Sequence, residues 1–591
     1  MRTKHHMIIS LLLLSTLLLA ACVPAAPGGG SAAGPEGDAA AAASGPVTLD
    51  YNWGTEPPSL DPSLATDTTS IGIINELFLG LTELDPDTQE AMPELATDWT
   101  ISDDELTWTF NLRDDVPWVH MVDGEVVETG EMVTASDVVY GLKRTCDAET
   151  ASDYAYVLYI VAGCEAANTG EGSIDDVAVT AVDDTTLEIT LNYPASFFSQ
   201  IASMWIMRPM PQATIEEVGD TWTEPESIVT NGAFALSEWI HGDSLQLVRN
   251  PHWYGWTEMA DVVGNIDVIN GVMIEEESTA FALYENNEID SVGVPLEMMD
   301  LANAGEFGDE YHVSPRNCTY YYGFVTQKES VSDVRVRRAL SMAVDRQTLV
   351  NDVLKGGQTP ANTFTNPLNF GSPAGDTEVA PWALTEDQGG TGYAAAVEMA
   401  QSLMEEAGHP NGADLTITLA HNTGEAHATL AQAVQAMWQA AFPDIEVVIE
   451  SQEWGVYLES LDNDSPLEGK PDVYRLAWCQ DYPHANNWIH EVFNPTQGAN
   501  SPMLSTDDPQ VGDLIQEFSD TTIAAQTASP EEQLELYKHA EELFVDEIAG
   551  IIPVYYYSSN LLVKPWLDRV YGDDLYLSRW SIDQAAKDAA Q

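Results

Sequence analysis

The spacing of apolar and polar residues changes along this chain, and each change predicts an element. In 334-VRVRRALSMAVDRQTLVNDVL-354 and 426-AHATLAQAVQAMWQAAF-442 apolar residues return every three or four positions, which predicts helices. Ser332–Asp333 supplies an N-cap candidate for the first. The stretch 529-SPEEQLELYKHAEELFVDEIAG-550 reads as a capped helix, with Ser529, then Pro530 at its first position, a Glu at the third, and Gly550 as a stop. In 105-ELTWTFNLR-113, 185-TTLEITL-191 and 244-SLQLVRN-250 the residues alternate or are rich in β-branched and aromatic types, which predicts strands. Pro and Gly punctuate 370-FGSPAGDTEVAPW-382 and 462-DNDSPLEGKP-471, as in surface loops. The reading is mixed α and β, without an internal repeat.

At the N-terminus the pattern is different. Arg2 and Lys4 precede an apolar run of 13 residues, Met7 to Leu19. That is too short to span a bilayer as a helix and has the length of a secretory signal core. It ends in Leu19-Ala20-Ala21-Cys22, which resembles a bacterial lipoprotein signal. The expectation is a signal peptide over 1–21, cleavage before Cys22, and a lipid on its sulfur that holds a soluble domain at the membrane's outer face. Residues 22–46, rich in Ala, Gly, Pro and Ser, cannot bury enough to order themselves and read as a tether.

From Val47 onward roughly 545 residues remain, enough for two or three lobes. An apolar content of 44% and 16 tryptophans give this part ample core. The net charge is −74, from 95 acidic and 21 basic residues. Such a surface repels phosphates, which excludes nucleic acid as a partner. It is soluble but self-repelling at low salt. Besides Cys22 there are four cysteines, Cys146, Cys164, Cys318 and Cys479. An oxidising exterior favours pairing, but spacing leaves all three pairings open.

One stretch carries a chemical question. In 475-RLAWCQDYPH-484 the acidic Asp481 sits within three residues of Trp478 and Cys479, side chains that favour burial. A carboxylate in such company needs a positive partner. Arg475 is one candidate, but on a strand six positions span roughly 20 Å by rise alone, so a pair would need a bend. The sequence has no Gly-x-Ser-x-Gly elbow, no His-Glu-x-x-His and no phosphate loop with lysine, so it does not read as an enzyme. His421 and His427, like His484 and His490, are six apart, which does not place either pair on one helical turn; no metal site and no cofactor are expected.

Motifs spread over nearly everything after the tether carry a resemblance. They include 56-EPPSLDP-62, 107-TWTFNLRDDVPW-118, 133-VTASDVVYGLKR-144, 230-TNGAFALSEW-239, 318-CTYYYGF-324, 333-DVRVRRALSMAVDR-346, 475-RLAWCQDY-482 and 553-PVYYYSSNLLVKPW-566. With these the chain resembles the oligopeptide-binding lipoproteins of bacterial ABC importers, in the peptide/nickel class of extracellular solute-binding proteins. The resemblance implies an α/β, periplasmic-binding-protein-like fold: two lobes that close on the ligand, an extra inserted lobe, and a hinge of two crossover segments near Asn317–Cys318 and Tyr557–Asn560. Lobe I would comprise 47–78, 213–317 and 558–591, lobe II 79–212 and lobe III 318–557.

The implied function is capture of oligopeptides by their free N-terminus and main chain and delivery, as a monomer, to ABC permease subunits. The same resemblance makes Asp481 the acceptor for the peptide's α-ammonium, and Arg475 the partner of the C-terminal carboxylate of short peptides. It places His427 at the carboxylate end for another peptide length, Tyr154 and Tyr557 on the peptide main chain, and Trp454 and Trp478 as pocket walls, with Cys479 in the same set. It also pairs Cys318 with Cys479, which leaves Cys146 for Cys164. An alternative is another cargo of the same class: a dipeptide, metal chelate, haem or sugar. Three departures stand out. Gly323 replaces an acidic residue, Leu354 falls where a lysine is usual with Lys355 one place on, and 460-SLDNDSPLEGK-470 carries an insertion where another arginine is lost.

Overall fold

The strands predicted at 105–113, 185–191 and 244–250 form at Thr107–Leu112, Thr186–Thr190 and Ser244–Arg249 in a computed structural model that describes residues 45–463, 465–571 and 576–591. The signal segment, Cys22 and nearly all of the tether lie outside the described residues. Thr107–Leu112 is a central strand, with Ala96–Ile101 on one side and Thr186–Thr190 on the other; Val179–Asp183 completes this four-stranded sheet. Its alternation turns Trp108, Phe110 and Leu112 inward. Ser244–Arg249 belongs to a second four-stranded sheet, between Phe234–Ile240 and Val268–Val272, with Thr48–Asn52 added in parallel at the edge. One continuous apolar core serves both sheets and includes Phe110, Leu187, Leu247 and Ile269.

A second core lies around a larger mixed sheet. In spatial order its strands are Ser291–Gly293, Ile551–Val563, Tyr311–Phe324, Val473–Cys479, Thr416–Asn422 and Glu446–Gln452. The two longest, Tyr311–Phe324 and Ile551–Val563, are antiparallel neighbours and run from one body to the other. Tyr320 to Phe324 and Ile551 to Tyr555 are part of the second core, whereas Val563 packs into the first. Between the bodies the ladder slips: Pro315 faces Ser558 and Thr319 faces Tyr556, so Arg316, Asn317 and Cys318 stand opposite Tyr557 alone.

Helices pack on this sheet much as the periodicity predicts, with one difference. Glu425–Ala441 is a single helix. Pro530–Glu541 starts with the Ser529/Glu532 capping box and continues as a wider turn over Glu542–Glu547, ending short of Gly550. The 334–354 run, by contrast, breaks. Asp333 caps Val334–Met342, accepting the N–H of Arg335 at 2.9 Å, and the chain restarts at Arg346–Thr348 and Leu349–Leu354. The break is filled by Arg346, whose buried guanidinium donates to the carbonyls of Ser341, Val344 and Pro553. Apolar spacing continues across this point, so periodicity alone does not reveal the break.

Two disulfides are present. Cys318 and Cys479 are direct partners in the sheet ladder, with Cα atoms 4.0 Å apart. Cys146, at the end of helix Ala135–Cys146, is joined to Cys164 at the start of Cys164–Asn168. Among the described residues no helix is long and apolar enough to cross a membrane.

Candidate functional site

The strand Val473–Cys479 leads into the space between the two cores. On one side it pairs with Tyr311–Phe324 along its whole length; on the other it meets Thr416–Asn422 only at Val473 and Tyr474. The Tyr457 hydroxyl closes the edge at Arg475, bonding both its N–H and its carbonyl at 2.8 Å. Beyond that point the edge is open. Gln480 N–H bonds Asn317 on the paired side. The two-residue alternation therefore aims the main-chain groups of Ala477 and Cys479 at the cleft.

Three adjoining cavities occupy the cleft, of about 120, 300 and 290 Å³. Thr68, the first residue of helix Thr68–Leu77, lines all three. The first cavity holds Asp481, Cys479 and Gln480 against Trp205, Gln89 and Arg316. The third holds Arg475, His427 and Trp454 against Trp53, Glu275 and Glu277.

Asp481 has no cationic partner within ion-pair distance among the described residues. The Asn487 amide donates to its Oδ2 at 2.8 Å, and Asn487 Oδ1 accepts its backbone N–H at 2.9 Å. Burial pushes its carboxyl up to about 8; the Asn487 hydrogen bond offsets a part of this and the nearby negative charge of Glu491 adds to it. Aromatic rings wall this end. Tyr154 stacks on Trp478 with centroids 6.3 Å apart and also packs on Trp205 at 4.8 Å. Trp478 touches both apolar cores, so it is a wall of the cleft as well as packing material.

Arg475 is the mirror case. It is buried, and its guanidinium donates to Asn422 Oδ1 at 3.0 Å and to the Tyr557 hydroxyl at 2.8 Å, and lies 4.5 Å from the centre of the Tyr320 ring. No carboxylate is within ion-pair distance among the described residues, and its Nε has no hydrogen-bond partner there. The intramolecular Asp481–Arg475 pair that the sequence left open does not form. Burial, with Arg475 and His421 beside it, holds His427 well below the usual histidine range, so its imidazole is neutral.

The walls meet across the cleft in several places. Gln480 donates to Gln89 at 2.7 Å, and Phe197 stacks on Tyr482 at 5.5 Å. At the other end two helix starts cap each other. Glu277, opening Glu277–Glu285, accepts the N–H of Ala426 at 3.4 Å, while Glu425, opening Glu425–Ala441, accepts the N–H and hydroxyl of Ser278 at 3.2 and 2.9 Å.

The departures have structural reasons. A Cβ on Gly323 would lie 2.1 Å from the Tyr474 ring, so that phenol fills the space of the missing side chain. Leu354 is buried, and Lys355 is paired with Asp300 at 2.8 Å. In the inserted loop Lys470 is buried and donates to the Leu461 carbonyl. Of the histidines considered for a metal, His421 bonds the Asn422 carbonyl and His490 bonds Thr522 and Gln526. Among the described residues no cluster has metal-ligand composition. Sequence reasoning missed Asn487, Glu491, Gln89 and the start of helix Thr68–Leu77. The signal for the first two was present, as the polar residues of 486-NNWIHEVF-493 interrupt a run otherwise suited to the core.

Two cored bodies joined by long paired strands, with a cleft between them carrying a buried carboxyl without a cation and a buried guanidinium without a carboxylate, define a ligand-binding protein of the two-lobed class. The model for bacterial extracellular solute-binding proteins, family 5, middle, matches residues 90–500, and the chain belongs to this family. It is similar to the periplasmic oligopeptide-binding protein OppA of Escherichia coli (strain K12), being 34% identical over 531 residues that cover 89% of this chain and 90% of that one. Among solved structures, Haemophilus influenzae OppA in complex with RPPGFSPFR superposes with a TM-score of 0.79 at 27% identity, over 91% of this chain and 99% of that one. The Escherichia coli murein tripeptide binding protein MppA gives 0.77 at 30% identity, over 89% of this chain and 95% of that one. MppA in its unliganded open form gives only 0.57 at the same 30% identity, over 89% and 94%. With identity unchanged between the two MppA structures, the fall reflects their arrangement, and this chain is not arranged like the open form.

Proposed function

We propose that this protein captures oligopeptides by their free N-terminus and main chain and delivers them to an ABC permease. The observation that carries the reading is the pairing of a buried carboxylate lacking a cation with an open strand edge running back towards a buried guanidinium lacking a carboxylate. A short peptide supplies what each lacks. Its α-ammonium meets Asp481 through charge-assisted hydrogen bonds, its main chain extends the sheet along Cys479 and Ala477, and its carboxylate turns towards Arg475. His427, Tyr557 and Trp454 surround that last position, and Tyr154 and Trp478 the first. The peptide-bound relative from Haemophilus influenzae supports a peptide as cargo.

In this reading 47–78, 213–317 and 558–591 form lobe I, 79–212 lobe II and 318–557 lobe III, and the slipped ladder at Arg316–Cys318 and Tyr557 is the hinge. Peptide contacts with both sides favour closure, because only differential affinity shifts such an equilibrium. The protein acts by binding alone, without chemistry on the peptide. A lipid on Cys22 holds it at the outer face of the cell membrane beside its permease. Mass spectrometry of small molecules released by denaturing the purified protein tests this. Peptides with free amino ends are expected; N-blocked or non-peptidic cargo would overturn it.

A further inference from the structure

Behind Asp481 lies a second carboxylate that does not line the cleft. Glu491 is 4% exposed and receives three donors: the Tyr482 hydroxyl, Asn486 Nδ2 at 3.1 Å and Asn487 Nδ2 at 2.9 Å. Like Asp481, it has no cation within ion-pair distance among the described residues. Asn487, fully buried, serves both. Its Nδ2 faces the two carboxylates, while its Oδ1 accepts the backbone N–H of Asp481 at 2.9 Å and the Trp478 indole N–H at 3.3 Å. Turning the amide over would lose all four bonds, so its orientation is fixed. One amide thus sets the side chain and main chain of Asp481 and the wall beside it, and ties them to a second buried anion.

The groups packed around the pair do not neutralise it. Tyr154 and Tyr156 face it from one side, with Asp153 beside Tyr156; Tyr193, Tyr482 and Tyr537 face Glu491. The five tyrosines are phenols whose ionisation is pushed up first by burial, with one or both carboxylates adding to it. His484 and His490, on the same segment, are held down to about 4 and about 3 by burial and are neutral near pH 7. Arg316 lines the same cavity, but not within ion-pair distance of Asp481.

We propose that Asn487 and Glu491 form a positioning unit that couples capture of a ligand's N-terminal ammonium to release of one proton from the Asp481–Glu491 pair. The inference rests on the reading of Asp481 as ammonium acceptor. Two carboxylates bridged by one amide, with no cation, oppose each other's ionisation. Burial places Asp481 at about 8 and Glu491 at about 7, so the empty site keeps a proton at neutral pH. The arriving ammonium brings one positive charge and N–H donors. Asp481 ionises against it, and its proton leaves to solvent, so charge balances. Both groups are raised, hence the proton is held below these values and affinity climbs with pH towards them.

Calorimetry of tri-alanine binding at pH 6.5, in phosphate and in imidazole buffer, whose ionisation enthalpies differ, counts the protons. Release of about one proton per peptide is expected. Glu491→Gln should release fewer, with affinity rising from a lower pH onset, because the charge that raises Asp481 is gone. Asn487→Ala, which leaves both carboxylates, should weaken binding about tenfold or more while proton release persists. No proton release by the unmodified protein, or the same count and pH profile in Glu491→Gln, overturns the inference while leaving the peptide reading standing. N-acetylated tri-alanine binding as tightly as the free peptide, or no binding of tri- to penta-alanine, overturns both.

Discussion

Asp481 enters the cleft with one amide as its hydrogen-bonding partner, and much of its chemistry follows from that isolation. Replacing it by Asn would leave an incoming ammonium buried without its counter-charge. Such losses run to about 3 kcal/mol or more, so Asp481→Asn should weaken binding of a free peptide roughly 100-fold in calorimetry. The same isolation has a consequence for the empty protein. An Asp that titrates at about 8 when folded and near 3.9 when unfolded makes the fold bind the extra proton between those values. The contribution of Asp481 to stability should therefore fall as pH rises from about 4 to about 8, so the melting temperature of Asp481→Asn relative to the parent should climb across that window. Asp481 stood out in the sequence as a charge in need of a partner, because an acid beside Trp and Cys demands an explanation, whereas Arg475 was singled out only as its possible partner and through the family resemblance. Asn487 and Glu491 were not, because recognisable motif ends at Tyr482 and a polar residue in an apolar run looks the same whether it is satisfied structure or part of a site.

At the scale of elements, the two helix starts that cap each other across the cleft define a latch. Glu277 and Glu425 each take an N–H that the other helix leaves over, and burial, followed by the nearby Glu425, raises the carboxyl of Glu277. Glu425→Ala removes the two bonds to Ser278, worth about 1 kcal/mol each, so peptide affinity should drop by up to about 30-fold through a less stable closed form. X-ray scattering of the variant with peptide should show a larger radius than the parent; an unchanged radius and affinity would remove the latch from the account. The strands were readable where alternation is strict, as at Thr107–Leu112, and the helix Glu425–Ala441 where the period holds. The break after Met342 was not readable. It depends on Arg346 joining the local carbonyls of Ser341 and Val344 to that of Pro553, on a strand more than two hundred residues away, a tertiary contact that local spacing does not contain.

For the whole molecule, charge and topology act together. A net charge of −74 repels itself, and closing the cleft brings acidic walls nearer each other. Raising NaCl from about 0.05 M to about 1 M should raise the melting temperature, since salt screens surface repulsion while leaving buried groups largely untouched. A fall would mean that specific ion pairs outweigh the repulsion. The two-lobed fold is a long-range property, and the slip in the ladder at Arg316–Cys318 is visible only in the structure. The sequence pointed to the fold through resemblance across many motifs rather than through composition or period. The most direct test is a crystal structure of the complex with tri-alanine. The peptide's ammonium is expected within about 2.7–2.9 Å of the Asp481 carboxylate, with its main chain paired to Cys479 and Ala477. An amino end lying elsewhere, or Asp481 paired with Arg316 or another cation of the protein while peptide is bound, would contradict it.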